Sequence, residues 1–444
     1  MRKLLPAFLA IALGVAAFVV RTWGISEHFW LGEDQWRDWG LALQPLWNLP
    51  LVGSPTHVHG YAIGPAHYWI LWAINSTIGP FFDHLPHAGG IGQAWLASAA
   101  DALLLLAVWR RTGSPWIALT AFLLIVTSPF DLSLSALVWN PTMGETLIKF
   151  VLAIVILQWH RRSMWTMGVT AVIAWAAVQA YTGAVFATVT TLALLAFSTD
   201  WRVMARRALL IVGIVAVMQI PYGVYRYKYR NAPVMSAVTG GVEQILTGKA
   251  QINVSGSAKG YVSAVGWFQE IKGWRWPAGL LGAGSVMLLF RYRRDLELAW
   301  LLIVPQVLAI AGFALFLGAL DSYYYLSLLP VSVLTVLIGF MPARGKAASA
   351  VGIGALVAVA ALLPGRFSRA HQFEMPEYKV IVSASRELLA LNRPLRDVRA
   401  SFPLPTIVNV SHPYVAMGGT IDPKGPLVAT INLDGSITYN IPLR

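Results

Sequence analysis

The residues that could do chemistry first cluster in "LGEDQWRDWG", residues 31–40, just after the first long apolar stretch of the chain. Three carboxylates, Glu33, Asp34 and Asp38, lie there beside Arg37. At helical spacing Asp34 and Asp38 share one face, as do Glu33 and Arg37. Two interpretations of Asp34 stay open. It caps a helix amino terminus, or it acts as a general base that takes a proton from a hydroxyl or an amine.

A second group of ionisable residues occurs in "SPFDLSLSALVWNPTMGETLIKF", residues 128–150. Asp131 lies near its start, and Glu145 and Lys149 lie four residues apart where an apolar segment begins. Charged side chains in a membrane helix are costly and usually face a partner or a polar cavity. Glu145 and Lys149 therefore form either a self-satisfied ion pair or a site in which Lys149 meets an anionic phosphate and Glu145 a sugar or a metal.

A run of tyrosines in "DSYYYLSLLP", residues 321–330, follows an acidic residue at the end of another apolar segment. Tyrosine is common in the aromatic belt at a membrane interface, which is one interpretation of the run. The other is that Tyr323 and Tyr324 line a cavity for a polar headgroup.

Histidines are concentrated in "HVHGYAIGPAH", which holds His57, His59 and His67 beside Tyr61. Two histidines one residue apart, followed by a distant third, are a weak signal for a metal site. The pattern favours structural or substrate-contact roles for these side chains over zinc binding.

The composition defines the setting for these groups. The chain has 444 residues, of which 57% are hydrophobic and 12% charged, whereas soluble domains carry about 25% charged residues. Several windows stay apolar for the ~17–25 residues that cross a bilayer, so we predict an all-α polytopic membrane protein. The net charge of +13 lies in short clusters between apolar segments, which favours membrane orientation over a nucleic-acid partner. The absence of cysteine excludes disulfides, thiolate nucleophiles and cysteine-bound metals.

Placing the short basic clusters in the cytoplasm predicts eleven transmembrane helices, with the amino terminus inside and the carboxyl terminus outside. The first is interpreted as an uncleaved helix because no small-residue cleavage site ends it. If the apolar segment 63–82 crossed fully, Arg110 and Arg111 would lie outside, so we predict that it lies along or dips into the outer leaflet. The alternative is that 63–82 is an ordinary span and that other boundaries differ. The predicted spans are 4–20, 90–109, 115–130, 143–159, 164–181, 184–199, 207–222, 276–290, 298–319, 323–341 and 347–364.

The sequence thus predicts a transmembrane domain over 1–364, followed by an external carboxyl-terminal domain. The predicted external regions are 21–89, 223–275 and 365–444. The last begins with a helix over 376–391 and continues with strand-like runs at 406–410 and 427–433. Its Asp-Gly turn in "LDGSITYN", residues 433–440, predicts a hairpin. We expect a small α/β domain on the membrane face.

In this order the motifs resemble those of GT-C glycosyltransferases, in particular the bacterial branch similar to protein mannosyltransferases and the lipid A aminoarabinose transferase. The resemblance rests on "GEDQWRD" after the first span, then "GPAHYWIL", "SPFDLSLSALVWNP" and "YYYLSLLP". It covers residues 1–345 in organisation. It implies a GT-C fold of about eleven transmembrane helices with periplasmic juxtamembrane helices.

The resemblance implies a sugar transferase that consumes a polyprenyl-phosphate-linked donor outside the cytoplasm, with inversion. The acceptor would be a cell-envelope glycan, lipid or protein, and the location a bacterial inner membrane. Asp34 takes the position of the family's catalytic base. Phosphate contacts are expected from Lys149, Lys272 and Arg275. The candidates for substrate binding are Asp38, His57, His59, Tyr61, Glu145, Lys149, Lys272, Arg275, Tyr323 and Tyr324.

Two departures from the family pattern bear on metal binding. Gln35 follows Asp34 where the family commonly has a glutamate, and Asp131 and Glu145 lack the spacing of a DxD or DxE motif. We therefore expect no cofactor, and these departures favour a metal-independent reaction over one that uses a divalent metal. An alternative function is a transporter or flippase for a lipid-linked glycan. An ATP-driven pump is disfavoured because the chain has no GxxxxGK[ST] phosphate loop.

Overall fold

The computed structural model describes residues 4–55, 60–158, 163–230, 247, 252–293, 295–315, 321–370 and 374–440, and helices dominate these ranges. The helices are α1 (Leu5–Thr22), α2 (Ile25–His28), α3 (Glu33–Ala42), α4 (Ala66–Thr77), α5 (Pro86–Thr112), α6 (Pro115–Val126), α7 (Pro129–Leu134), α8 (Asn140–Leu157), α9 (Met164–Ala180), α10 (Val185–Ala196), α11 (Trp201–Met218), α12 (Ile220–Lys228), α13 (Val254–Phe268), α14 (Arg275–Arg291), α15 (Leu296–Phe313), α16 (Leu329–Phe340), α17 (Lys346–Ala370), α18 (Tyr378–Ala390) and α19 (His412–Ala416). Short 3₁₀ turns are Leu46–Asn48, Gly79–Phe82, Thr182–Ala184 and Ser322–Leu328. The strands are β1 (Asp397–Ala400), β2 (Val428–Ile431) and β3 (Ile437–Asn440).

The helix ends follow local sequence chemistry. Proline begins several helices because its fixed φ suits the first turn and its missing N–H costs no hydrogen bond there, as at α5, α6 and α7. Gly113, at φ +69°, ends α5 in the left-handed conformation that glycine adopts without strain. The Ser114 hydroxyl then accepts the N–H of Ile117 and caps α6. The chain therefore reverses between α5 and α6 within two residues.

Small residues allow the helices to approach closely, which stabilises helix pairs in membranes. A Cβ placed on Gly339 of α16 would clash with the carbonyl oxygen of Gly284 in α14. On the other side of the bundle, a Cβ on Gly14 of α1 would lie 2.8 Å from the Cβ of Ala102 in α5. The helix α5 packs against α1, α6 and α8 and forms the centre of that half.

The membrane-protein prediction is confirmed, and each predicted span overlaps a helix in the described part of the chain. In the part of the chain that the structure describes, six helical segments are long and apolar enough to cross a membrane, and the bent pair α11–α12 would make a seventh. These six are Leu5–His28, Pro86–Thr112, Asn140–Leu157, Leu296–Phe313, Ser322–Phe340 and Lys346–Arg369. The remaining apolar helices, such as α6 and α9, are shorter. The count of eleven stays a prediction.

Helices also form outside the predicted spans, and two of them, α4 and α13, lie in predicted external regions. The segment predicted to lie on the outer leaflet contains α4, whose 12 residues extend ~18 Å, well short of the ~30 Å hydrocarbon core. The predicted external loop 223–275 contains the helix α13, which was not predicted from the sequence. Its Tyr261 is buried and donates a hydrogen bond to Gln306 Oε1 at 2.8 Å. This contact ties the loop to α15.

The carboxyl-terminal region forms α18 and a three-stranded sheet of order β1-β2-β3. β1 and β2 are parallel, and β2 and β3 form the predicted hairpin, with Ile431 opposite Ile437. The strand expected at 406–410 is wrong, because this segment is an irregular loop. Trp36 Nε1 donates to the carbonyl of Ile407 in that loop at 3.1 Å. The β-branched residues of segment 406–410 predict a strand, but the segment packs against α3 as a loop. The first strand of the domain is β1 instead.

Further contacts join the carboxyl-terminal region to the first external segment. The N–H of Met375 donates to the carbonyl of His28 at 2.9 Å. The hydroxyl of Tyr378 lies 3.0 Å from His87 Nδ1. Surface ion pairs link Lys379 to Glu27 at 3.0 Å and Arg386 to Asp83 at 2.9 Å. The small domain therefore rests on the segment that contains the acidic motif.

Candidate active site

A cavity of about 780 Å³ opens beside α3. Its described wall is mainly aromatic and aliphatic, and its charged residues, Glu33, Asp34 and Arg37, all come from α3. Residues that line it include Trp30, Phe130, Leu134, Leu137, Trp139, Asn140, Tyr181, Thr182, Phe186, Trp267, Phe313, Tyr323, Tyr324 and Ile407. Binding pockets commonly combine such an apolar lining with a few polar groups at one element. The cavity is therefore the candidate site.

Asp34 is in the first turn of α3, but it does not cap the helix. The cap position is Gly32, and no side chain caps this end. Instead, Asp34 Oδ1 lies 2.8 Å from an Arg37 guanidinium nitrogen, and Oδ2 accepts the Trp139 indole N–H at 3.2 Å. Its side chain is 40% exposed. Of the two interpretations from the sequence, the geometry fits an accessible carboxylate at the cavity rather than a cap.

Arg37 joins Asp34 to Asp38, and we call these three residues the open cluster. Arg37 Nε donates to Asp38 Oδ1 at 2.8 Å. The Ser54 hydroxyl donates to Asp38 Oδ2 at 2.9 Å. The Asp38 side chain is fully buried and does not line the cavity. The prediction that Asp38 contacts substrate therefore does not fit the structure, because its oxygens are occupied by protein groups.

Burial raises the pKa of the Asp38 carboxyl, but the opposing effect of His67 and Arg37 is larger. The pKa of Asp38 therefore lies below its usual value. His67 is also buried, and its Nε2 lies 3.3 Å from Asp38 Oδ2. The Tyr68 hydroxyl donates to Asp38 Oδ1 at 3.3 Å. Asp38 therefore remains a carboxylate that holds Arg37 in place.

His67, predicted as a structural or substrate-contact residue, thus supports the open cluster from behind. His57 and His59 lie outside the described residues. Tyr61 precedes Ala62, which lines the cavity, but Tyr61 itself does not line it, and its ring lies 6.1 Å from that of Tyr225. Within the described ranges, no group of three His, Cys, Asp or Glu side chains could hold a metal ion.

A second group of ionic side chains, the sealed cluster, lies between α1, α5, α7 and α8. It consists of Arg21, Asp101, Asp131, Glu145 and Lys149. Lys149 Nζ lies 2.8 Å from Asp131, 3.0 Å from Asp101 and 3.1 Å from Glu145. Arg21 lies 2.7 Å from Asp101 and also pairs with Asp131. Each of these side chains is at most 1% exposed.

The sealed cluster places Lys149 and Glu145 away from the cavity. Neither residue lines the cavity, and Lys149 is surrounded by three carboxylates. The predicted contacts of Lys149 with a phosphate and of Glu145 with a sugar or metal do not fit this placement. The alternative of a self-satisfied ion pair agrees with it, extended by partners that only the tertiary fold brings together.

The remaining predicted residues divide into two groups. Tyr323 and Tyr324 line the cavity, with their rings stacked at 4.8 Å, and the Tyr323 ring contacts Trp139 at 5.4 Å. Lys272 and Arg275 are exposed and do not line it. The tyrosine prediction therefore agrees with the cavity, whereas the two basic residues lie outside its described wall.

Sequence reasoning missed two cavity residues that the fold brings to Asp34 and the tyrosines. Trp139 donates to Asp34 from a position 105 residues away in the chain. The ring of Tyr181, after α9, lies 6.4 Å from that of Tyr324. Nothing in the local sequence around Trp139 indicates that its indole meets the acidic motif.

No protein-family model and no curated protein matches the sequence. The fold is similar to solved structures of ArnT from Cupriavidus metallidurans, bound to undecaprenyl phosphate (TM-score 0.58) and in the apo state (TM-score 0.54). Each is 12% identical to this chain, covering 96% of it and 92% of ArnT. Another similar structure is the oligosaccharyltransferase AglB from Archaeoglobus fulgidus with an inhibitory peptide and a dolichol-phosphate (TM-score 0.43, 13% identity, 92% of this chain and 63% of AglB). The resemblance predicted from the motifs is confirmed at the level of the fold, because the chain shares the polytopic helical architecture of the ArnT structures.

Proposed function

We propose that this protein transfers a sugar from a polyprenyl-phosphate-linked donor to an acceptor outside the cytoplasm. The observation that carries the proposal is Asp34, a partly exposed carboxylate on a large, mainly apolar cavity in a GT-C fold. One protein of this fold, ArnT, has been solved with undecaprenyl phosphate. An apolar wall suits a lipid chain, and the α3 end suits the polar reacting groups.

In the proposed reaction, Asp34 accepts the proton of an acceptor hydroxyl or amine as that group attacks the anomeric carbon. The bond from the anomeric carbon to the phosphate oxygen breaks, and the lipid phosphate leaves with the bonding electrons. A single displacement inverts the configuration at that carbon. The Trp139 hydrogen bond fixes one oxygen of Asp34, which supports a defined direction for the proton transfer.

The stacked rings of Tyr323 and Tyr324 offer the sugar a flat wall in the same cavity as Asp34. We propose a reaction that needs no metal, on a cell-envelope glycan, lipid or protein at the outer face of a bacterial inner membrane. Dependence on a divalent ion is tested by assaying turnover with and without a chelator. Undiminished turnover supports this part of the proposal, and loss that Mg²⁺ or Mn²⁺ restores contradicts it.

The function is tested with purified protein in liposomes and a polyprenyl-phosphate sugar labelled in both the sugar and the lipid. Release of lipid phosphate that depends on Asp34 supports the transferase. Movement of intact donor across the bilayer without cleavage supports the alternative, a flippase. Asp83→Asn is the matched control, because Asp83 is also an acid of the first external segment but forms a surface ion pair with Arg386.

A further inference from the structure

Arg37 is the one Lys, Arg or His among the described residues that line the cavity. The cations expected from the sequence to meet a phosphate lie elsewhere. Lys149 is enclosed by carboxylates in the sealed cluster, and Lys272 and Arg275 are outside the cavity wall. Arginine also suits phosphate because its planar N–H groups match two phosphate oxygens. An anionic ligand in this cavity therefore meets Arg37.

The guanidinium of Arg37 is divided between two carboxylates of unequal burial. Its Nε donates to Asp38, whose side chain is fully buried. Its Nη2 lies 2.8 Å from Asp34, whose side chain is 40% exposed. Breaking a buried pair leaves an uncompensated charge without water, whereas an exposed pair contributes little. The bond to Asp34 is therefore the easier one to exchange.

The surroundings of the two carboxylates increase this difference. Asp38 is also held by the Ser54 hydroxyl at 2.9 Å and lies beside His67. Asp34 has the Trp139 indole N–H at 3.2 Å as its other partner. If the bond to Arg37 is lost, one oxygen of Asp34 keeps the indole bond and the other is open to a hydrogen-bond donor from the substrate.

On the basis of the proposed function, we propose that Arg37 binds the donor phosphate by exchanging partners. Donor binding moves the Nη2 hydrogen bond of Arg37 from Asp34 to the phosphate, while Nε stays on Asp38. Binding of the donor then performs two tasks at once, because it places a cation on the leaving group and releases an oxygen of Asp34 for the acceptor proton.

The charges balance through the step. The donor is a phosphodiester with one negative charge, and the departing lipid phosphate is a monoester that gains a second as the bond to the anomeric carbon breaks. The acceptor proton moves to Asp34, which loses its negative charge. Arg37 therefore turns from a partner of Asp34 toward the group on which charge develops.

Direct binding tests the exchange without turnover. The probe is farnesyl phosphate, with uncharged farnesol as the control ligand, measured with detergent-solubilised protein by isothermal titration calorimetry. Arg37→Gln should weaken farnesyl phosphate binding by about 10- to 100-fold and leave farnesol binding unchanged. Arg386→Gln, a surface arginine paired with Asp83, should change neither. Unchanged farnesyl phosphate binding in Arg37→Gln overturns the proposal.

The double variant separates exchange from simple repulsion between Asp34 and the phosphate. Asp34→Asn alone should tighten farnesyl phosphate binding by roughly 2- to 10-fold, because the carboxylate that competes for Arg37 is gone. In an Arg37→Gln background this gain should disappear. A gain that persists there indicates repulsion alone and contradicts the exchange, as does weaker binding in Asp34→Asn.

Arg37→Lys covers the case in which Arg37→Gln does not fold. This variant keeps the positive charge but loses the paired N–H donors. Its affinity for farnesyl phosphate should stay within about 10-fold of the wild type, with a less favourable binding enthalpy.

The results distinguish a failure of this proposal from a failure of the proposed function. Phosphate binding through Arg37 without sugar transfer rejects the transferase and leaves the binding site. Normal transfer by Arg37→Gln rejects the role of Arg37 and leaves the transferase.

Discussion

The open cluster and the sealed cluster are built from the same kinds of side chain, and both begin in sequence motifs that suggest chemistry. In the open cluster Asp34 is 40% exposed and faces the cavity. In the sealed cluster each side chain is at most 1% exposed and pairs with other members. Removing one member of a buried ion pair destabilises the fold, because its partner is left as an uncompensated buried charge. Exposed ionisable groups can instead bind ligands and react. Solvent access, rather than residue type, separates the two roles.

The largest expected effect comes from the accessible carboxylate. Asp34→Asn keeps the shape of the side chain but removes the proton acceptor, so sugar transfer should fall by about 10²- to 10⁴-fold. The thermal unfolding midpoint in detergent should stay near that of the wild type, because this side chain is only partly buried. Near-normal turnover would contradict the role of Asp34. A large fall in the unfolding midpoint would show that Asp34, like the sealed cluster, stabilises the fold.

Lys149→Met should produce the opposite pattern. Loss of the ammonium leaves Asp101, Asp131 and Glu145 buried around an apolar side chain, which should cost about 3–5 kcal/mol of folding free energy. The measurement is the unfolding midpoint in detergent together with the yield of folded protein. Lys379→Met, at an exposed pair with Glu27, is the control and should cost at most about 1 kcal/mol. Full stability with lost transfer would instead place Lys149 in the reaction.

The support of α3 by the carboxyl-terminal domain should depend on pH. His412 packs near Trp36, with ring centroids 6.3 Å apart, and burial lowers the pKa of His412 to about 4. The unfolded chain binds a proton near pH 6.5, and the folded one only near pH 4. The contribution of neutral His412 to the free energy of unfolding is therefore complete above pH 6.5. It is lost as the pH falls toward 4, and the loss is ~3 kcal/mol at most.

This pH dependence can be measured as the unfolding midpoint between pH 7 and 4 in wild type and in His412→Gln. The variant cannot take up the proton, so its profile should be flatter over the same range. Parallel profiles for the two proteins would show that other groups cause any acid sensitivity.

Trp139→Phe sharpens the description of the open cluster. It removes the indole N–H at 3.2 Å from Asp34 and keeps an aromatic ring beside Tyr323. The loss of one such hydrogen bond corresponds to ~0.5–1.5 kcal/mol, so kcat should fall about 2- to 12-fold with KM for the donor little changed. Trp95→Phe, at an exposed position of α5, is the control. An equal rise in KM would assign Trp139 to donor binding rather than to Asp34.

The smallest effect is expected in the sealed cluster. Among the described residues it has three carboxylates, Asp101, Asp131 and Glu145, for two cations. Glu145→Gln removes the excess charge, so it should change the folding free energy by less than about 1 kcal/mol and leave transfer intact. A cost as large as that of Lys149→Met would show that Glu145 carries a charge the cluster needs.

The sequence by itself determined the class of protein and the location of its helices. Apolar length and the scarcity of charge fix a helical membrane protein, because buried backbone groups in lipid must pair within each segment. The first acidic motif and the tyrosine run were also identified, since each is a local pattern. Both now line one cavity at Asp34, Tyr323 and Tyr324.

Only the tertiary structure decided which charged residues are accessible. Lys149 is 128 residues from Arg21 in the sequence, and nothing in the local pattern of α8 indicates that Asp101 and Asp131 enclose it. In the same way, "EDQWRDWG" does not reveal that Asp38 turns inward to Ser54 while Asp34 faces outward to Trp139. Helical period predicts which residues share a face, but the neighbours that cover a face come from distant segments. That covering determines whether an ionic group stabilises the fold or meets a substrate.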